Sequence, residues 1–156
     1  MIKPLFLMDL DDTLLQTARK MPADMPRQVA ALDKHGQPLS FTNPTQQLFI
    51  DWLLQCADVV PVTARSVDAF KRVQISFKQG AICAHGAVIL NAHGQRDEVW
   101  HQQMLNTLEP YRAALMQIQY TLDSIGHELG LTLRTWLVEE QSLSCYALAK
   151  QSGHHD

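Results

Sequence analysis

The chain has 156 residues, of which 46% are hydrophobic and 19% charged, and it carries a net charge of −3. That length suffices for one domain with a sizeable core, or for one domain and part of a second, and the composition is that of a soluble globular protein. The weakly acidic balance gives no basic field for nucleic acid and no polybasic membrane patch, and no apolar run approaches the length of a membrane span.

The first element expected is a strand over Pro4 to Met8, whose unbroken apolar run reads as a buried parallel strand. It ends abruptly in Asp9-Leu10-Asp11-Asp12-Thr13. If the strand continues, alternation turns Asp9 and Asp11 the same way and Leu10 the other. Two neighbouring carboxylates repel each other, and a divalent cation relieves that repulsion. Because ligands bind at strand ends in α/β sheets, the stretch reads as a metal site and a nucleophile site together. A helix N-cap on Asp12 or Thr13 is the plainer reading, but it accounts for one acid and not for three. Lys3 ahead of this short run does not make a signal peptide.

Residues 16–40 are irregular, with Met21-Pro22 and Met25-Pro26 breaking any helix. A hairpin is expected near 29–41, with Gly36 in its turn, placed as a flap over the acidic stretch. Thr42 or Asn43 then caps a helix over 44–56 that starts at Pro44 and buries Leu48, Phe49, Trp52 and Leu53. Asp58 to Thr63 is the second core strand, with Pro61 awkward inside it. Ser66 caps a helix reaching Phe77, Ala81 to Ala84 is a third strand, and Asp97 to Trp100 reads as a returning strand. Pro110 opens a long helix with a stripe through Leu108, Tyr111, Leu115, Ile118, Leu122, Ile125 and Leu129, ended by Gly130. Leu131 to Val138 and Leu143 to Ala149 alternate as two antiparallel strands. The change from strand–helix alternation to helix–strand–strand puts a domain boundary near 91–106.

Cys56, Cys83 and Cys145 are odd in number, widely spaced and in apolar settings. Buried free thiols and a cytoplasmic location follow as expectations. The seven histidines and three cysteines form no HxxxH or CxxC pattern, which argues against zinc. His154-His155-Asp156 reads as a frayed end before it reads as a metal site. Trp100, Tyr120 and Trp136 read as core aromatics before substrate platforms.

FLMDLDDTLL and VVPVTAR resemble the first two motifs of the haloacid dehalogenase-like (HAD) phosphatase superfamily. ICAHGAVIL resembles the turn that leads into the cap in its Cof-type and sucrose-phosphatase-like branch. The resemblance implies an α/β fold: a Rossmann-like parallel sheet with helices on both faces over residues 1–90, and the start of an α+β cap over 91–156. It implies Mg²⁺, with the Asp9 carboxylate and the Asp11 backbone carbonyl as its ligands. Asp9 would attack the phosphoryl group to give an aspartyl-phosphate, and Asp11 would protonate the leaving oxygen and then deprotonate water. Thr63 would donate its hydroxyl to a phosphoryl oxygen. Asp12 stands where many relatives have Gly, and its backbone amide would face the phosphate. Arg65 follows Thr63 at a position the branch favours for Arg. A contact to substrate or loop and a plain surface salt bridge are equal readings for it. His85 replaces the branch's usual Asn at a strand end, either lining the substrate pocket or playing no part in it.

The function expected is Mg²⁺-dependent hydrolysis of a small phosphorylated metabolite, such as a sugar phosphate, with neither nucleic acid nor membrane as partner. The branch's lysine motif and distal acidic pair follow its cap, and this chain has no GDxxxD-like run after residue 100. A natural polypeptide longer than this chain is therefore expected. The alternative is a non-catalytic phosphate-binding or regulatory module. A receiver domain fits less well, because Asp58 begins its strand where a phospho-acceptor would end one.

Overall fold

The computed structural model describes residues 3–151, and the chain divides after Asp97 into two compact units. The architecture is mixed α/β, with one small parallel sheet and several antiparallel ones.

In the first unit the apolar runs of β1 (Leu5–Met8) and β5 (Asp58–Pro61) pair in parallel, Phe6 opposite Val59 and Met8 opposite Pro61. Between them, β2 (Gln16–Thr17), β3 (Gln28–Leu32) and β4 (Pro38–Thr42) form an antiparallel sheet in the order β2-β4-β3. The β3–β4 hairpin turns where the Asp33 carboxylate accepts hydrogen bonds from the His35 and Gln37 amides, at 2.7 and 2.8 Å. Helix α1 (Pro44–Cys56) follows. Asn43 and Gln46 form its capping box, each side chain accepting the other's backbone N–H. Past Pro61 the β5 strand meets β6 (Ala81–Cys83) through a parallel bridge from Val62 to Ile82, and β6 pairs antiparallel with β7 (Val88–Leu90).

The core gathers Leu10, Leu14, Leu15, Ala30 and Ile50, with Met8, Leu54, Phe70, Val73, Ile75 and Phe77 packed around them. A neighbouring cluster joins Leu53, Ala57 and Val59. Side chains alternate along β1, so Phe6, Met8 and Val59 share one face and Leu5, Leu7 and Val60 the other. Met8 and Val59 meet α1 residues, whereas Leu5 and Leu7 remain 64% and 61% exposed. The expected burial of β1 between two helical layers is therefore corrected: among the described residues only one face is covered.

Three further expectations change. Helix α1 buries Ile50 and Leu53, while Leu48, Phe49 and Trp52 lie exposed on its other side. Apolar residues on this helix run nearly all the way round, so periodicity did not single out the inner face. The helix capped by Ser66 is only α2 (Val67–Lys71). Beyond it the chain runs extended against β3, with the Gln74 amide donating to the Ala30 carbonyl and the Leu32 amide to the Arg72 carbonyl. A continued helix would have used those same backbone groups internally. The cysteines differ as well: Cys83 is buried, Cys145 is half-buried and Cys56 is exposed.

The second unit holds α3 (Glu98–Leu108), a 3₁₀ turn over Glu109–Tyr111, α4 (Arg112–Glu128), and the antiparallel pair β8 (Leu133–Glu140) and β9 (Leu143–Gln151). Residues 98–100 open α3 rather than forming a strand, with Glu98 in the favourable first turn. Gln141 and Ser142 make the β8–β9 turn, both with positive φ. Only part of the expected stripe on α4 faces the strands. Leu115 and Leu122 are half-buried and Gly126 is buried, whereas Tyr111, Ile118, Ile125 and Leu129 are exposed. Gly126 permits close packing, since a Cβ there would lie 2.6 Å from the Leu133 side chain.

Candidate active site

Parallel pairing brings the C-terminal ends of β1 and β5 to the same edge of the sheet, where the Val62 amide donates to the Met8 carbonyl at 2.8 Å. Asp9 follows β1 directly and Thr63 lies just past β5. The third strand end joins them there: the Thr63 amide donates to the Ile82 carbonyl at 2.9 Å and the His85 amide to the Thr63 carbonyl at 3.2 Å.

After Met8 the chain leaves strand geometry and turns tightly on two carbonyls. The Leu14 and Leu15 amides donate to Leu10 O, and the Asp12 amide donates to Leu15 O at 2.8 Å. Buried Leu10, Leu14 and Leu15 fasten this loop to the core while Asp9, Asp11 and Asp12 stay exposed. Strand alternation therefore does not set the direction of Asp11. Asp12 has φ 64, in the left-handed region that a glycine adopts without strain. Its amide is committed to Leu15, so the placement facing a phosphate does not hold in this arrangement, and its carboxylate pairs with Lys20 at 2.5 Å.

Asp9 is exposed, and its Oδ2 accepts the Thr13 hydroxyl at 2.9 Å. Thr63 is buried, and its Oγ1 accepts the Arg65 amide at 3.1 Å, so the hydroxyl proton is directed elsewhere. The Arg65 guanidinium grips Asp11 from both sides: Nε donates to Oδ2 at 2.8 Å and Nη2 to Oδ1 at 2.7 Å. Nη2 also donates to the Ser40 hydroxyl on β4, at 3.1 Å. Arg65 thus joins the acidic loop to the hairpin across 54 and 25 residues, a loop contact and an ion pair as two of its expected readings had it, with Asp11 and Ser40 as the partners.

Ala84, His85 and Gly86 all take positive φ, so the turn after β6 is left-handed through three residues, with His85 exposed at its tip. A cleft of about 480 Å³ is lined by Arg27, Gln28, Thr42, Asn43, Gln47 and Asp51, none of them a site residue expected from the sequence. His154-His155-Asp156 lies outside the described residues. Trp100 and Trp136 are half-buried and Tyr120 is exposed.

No group of three or more His, Cys, Asp or Glu side chains is arranged for a metal among the described residues. The exposed carboxylate of Asp9 and the main-chain carbonyls of the loop after it are oxygen donors, the kind that magnesium takes in small number alongside water and phosphate. Among the described residues no helix is long and apolar enough to cross a membrane. The chain matches no family model and no curated protein.

Proposed function

We propose that the chain carries phosphoryl-transfer residues of an HAD-like, Mg²⁺-dependent phosphatase acting on a small phosphorylated metabolite. The observation that supports this most is the meeting of three strand ends at one sheet edge, with exposed Asp9 at the first and buried Thr63 beyond the second. A carboxylate at the end of a parallel strand is positioned by the sheet and open to a ligand. In this reading an Asp9 oxygen forms a bond to phosphorus as the ester P–O bond breaks. Asp11 hands a proton to the leaving oxygen, and later takes one from the water that releases phosphate and restores Asp9. Thr63 donates its hydroxyl to a phosphoryl oxygen, and Thr13 holds the Asp9 carboxylate in one rotamer. Bound Mg²⁺, held by Asp9 and the Asp11 carbonyl, would neutralise and orient the phosphoryl oxygens. We place the protein in the cytoplasm on this reading, with its cysteines free.

One observation favours the second reading, a phosphate-binding or regulatory module without turnover: both Asp11 oxygens are engaged by Arg65, as in a structural salt link. Acid quench during turnover of an aryl phosphate separates the two. The phosphatase reading expects a phosphoryl adduct on the peptide containing Asp9. An enzyme that turns over with no such adduct, or with one elsewhere, rules the mechanism out.

A further inference from the structure

We propose that Arg65 is the positioning residue for Asp11, and that its bond to Ser40 makes this positioning depend on the β3–β4 hairpin. The catalytic part of the proposal rests on the phosphatase reading; the mechanical part does not.

The Arg65 side chain is only 11% exposed, whereas its partner Asp11 is 50% exposed. A guanidinium withdrawn from water to that degree needs its charge matched and its N–H groups satisfied. Asp11 supplies the charge through a two-point grip, and Ser40, itself buried, takes a further bond. The base of the side chain is fixed too. The Arg65 amide donates to Thr63 Oγ1, and the Arg65 carbonyl accepts the Ala84 amide at 2.8 Å. One residue therefore ties together the loop after β1, the ends of β5 and β6, and the hairpin. A planar fork fixes a carboxylate in position and in rotation, which a lysine ammonium does not. Arg65 touches Asp11 rather than any reacting atom, so its effect on the chemistry is indirect. A ligand that draws the guanidinium away would free Asp11 and loosen the hairpin in the same movement.

The test uses the whole chain in wild-type form and as Arg65→Gln, Ser40→Ala and the double variant, with Arg65→Lys as a second substitution should Gln fail to fold. Hydrogen exchange reads the mechanical part without any activity. Arg65→Gln is expected to speed exchange at the 12–15 loop amides and the hairpin amides together, roughly tenfold, while the β1–β5 ladder stays as it was. Ser40→Ala is expected to speed the loop amides only while Arg65 is present. Unchanged exchange in Arg65→Gln, or a Ser40→Ala effect that persists in the double variant, overturns the proposal. Hydrolysis of p-nitrophenyl phosphate with Mg²⁺ reads the catalytic part. Misplacing an acid–base group lowers kcat by about a hundredfold with KM nearly unchanged. A rise in KM at constant kcat would instead make Arg65 a substrate ligand and overturn the positioning role. Wild-type protein that shows the exchange coupling but no hydrolysis dependent on Asp9 defeats the phosphatase reading and upholds the clamp.

Discussion

The Arg65 guanidinium holds the Asp11 carboxylate by two hydrogen bonds, of 2.8 and 2.7 Å, from a residue 54 positions away. With Arg65 mostly buried and Asp11 half exposed, solvent screens only one side of the pair. Asp11→Asn keeps the shape but leaves the guanidinium without its counter-charge. We expect a loss of about 1–2 kcal/mol, less than the figure for a fully buried pair because Asp11 is open to water. Urea unfolding with an unchanged m-value checks it, and no change in midpoint would show that the pair contributes nothing to folding.

Gly80 is the tightest backbone position in the first unit. It has φ +90, and a Cβ there would collide with the Leu90 carbonyl oxygen and lie 2.8 Å from the Asn91 carbonyl carbon. These are backbone atoms at the β6–β7 pair and do not yield as a side chain would. Gly80→Ala should therefore cost about 2 kcal/mol or more, seen as a lower thermal midpoint. Gly94→Ala makes a control, since its φ is also positive but its Cβ meets nothing within 4 Å. It should cost about 1 kcal/mol, from backbone strain alone.

The α1 capping box gives a third expectation. Asn43 Oδ1 accepts the Gln46 amide at 2.8 Å and Gln46 Oε1 accepts the Asn43 amide at 3.1 Å. Gln46 Nε2 also reaches the Thr13 carbonyl at 3.2 Å, tying the cap to the acidic loop. Asn43→Ala should destabilise the chain by about 1 kcal/mol in chemical denaturation.

The hairpin turn carries a pH signature. The Gln37 amide bonded to Asp33 holds its carboxyl below the usual value of 3.8, against the opposing effect of burial, with the His35 amide adding to the lowering. A depressed carboxyl contributes its stabilisation fully above the unfolded value and loses it as pH falls through the folded one. The hairpin should thus be indifferent to pH from neutrality down to about 4. Its turn should loosen only below 3.8, as read from the Gln37 amide shift in an acid titration. Asp33→Asn should abolish that step, and a midpoint at or above 3.8 would contradict the assignment.

Much of this was written locally in the chain. The apolar runs of β1 and β5, the Asn43-Pro44 start of α1 and the β8–β9 pair are each specified by neighbours in sequence. Two turns legible in the sequence share one local pattern. Asp33-Lys34-His35-Gly36-Gln37 and Asn91-Ala92-His93-Gly94-Gln95 form the same turn, in which a side-chain oxygen takes the amides two and four residues on and a glycine sits at positive φ. Asp and Asn serve equally there because each offers an acceptor oxygen at the same reach. What the sequence could not show is non-local. The shortening of α2 depends on β3 claiming the Arg72 carbonyl and the Gln74 amide. The inner face of α1 depends on which side the sheet lies, and the Arg65–Asp11–Ser40 link depends on the tertiary fold. Within the candidate site, the position of Asp9 at the end of a strand was legible. A loop contact or ion pair for Arg65 was among its readings, but its partners Asp11 and Ser40, and the bond of the Asp12 amide to Leu15, were not legible.

The central claim is that Asp9 is a nucleophile assisted by magnesium. Its most direct test is hydrolysis of p-nitrophenyl phosphate by the whole chain with Mg²⁺, with EDTA, and as Asp9→Asn. The account predicts turnover with Mg²⁺ that is abolished by the chelator and falls by at least a thousandfold in the Asn variant, since an amide is no nucleophile toward phosphorus. Turnover that survives EDTA, or that Asp9→Asn leaves intact, would contradict it.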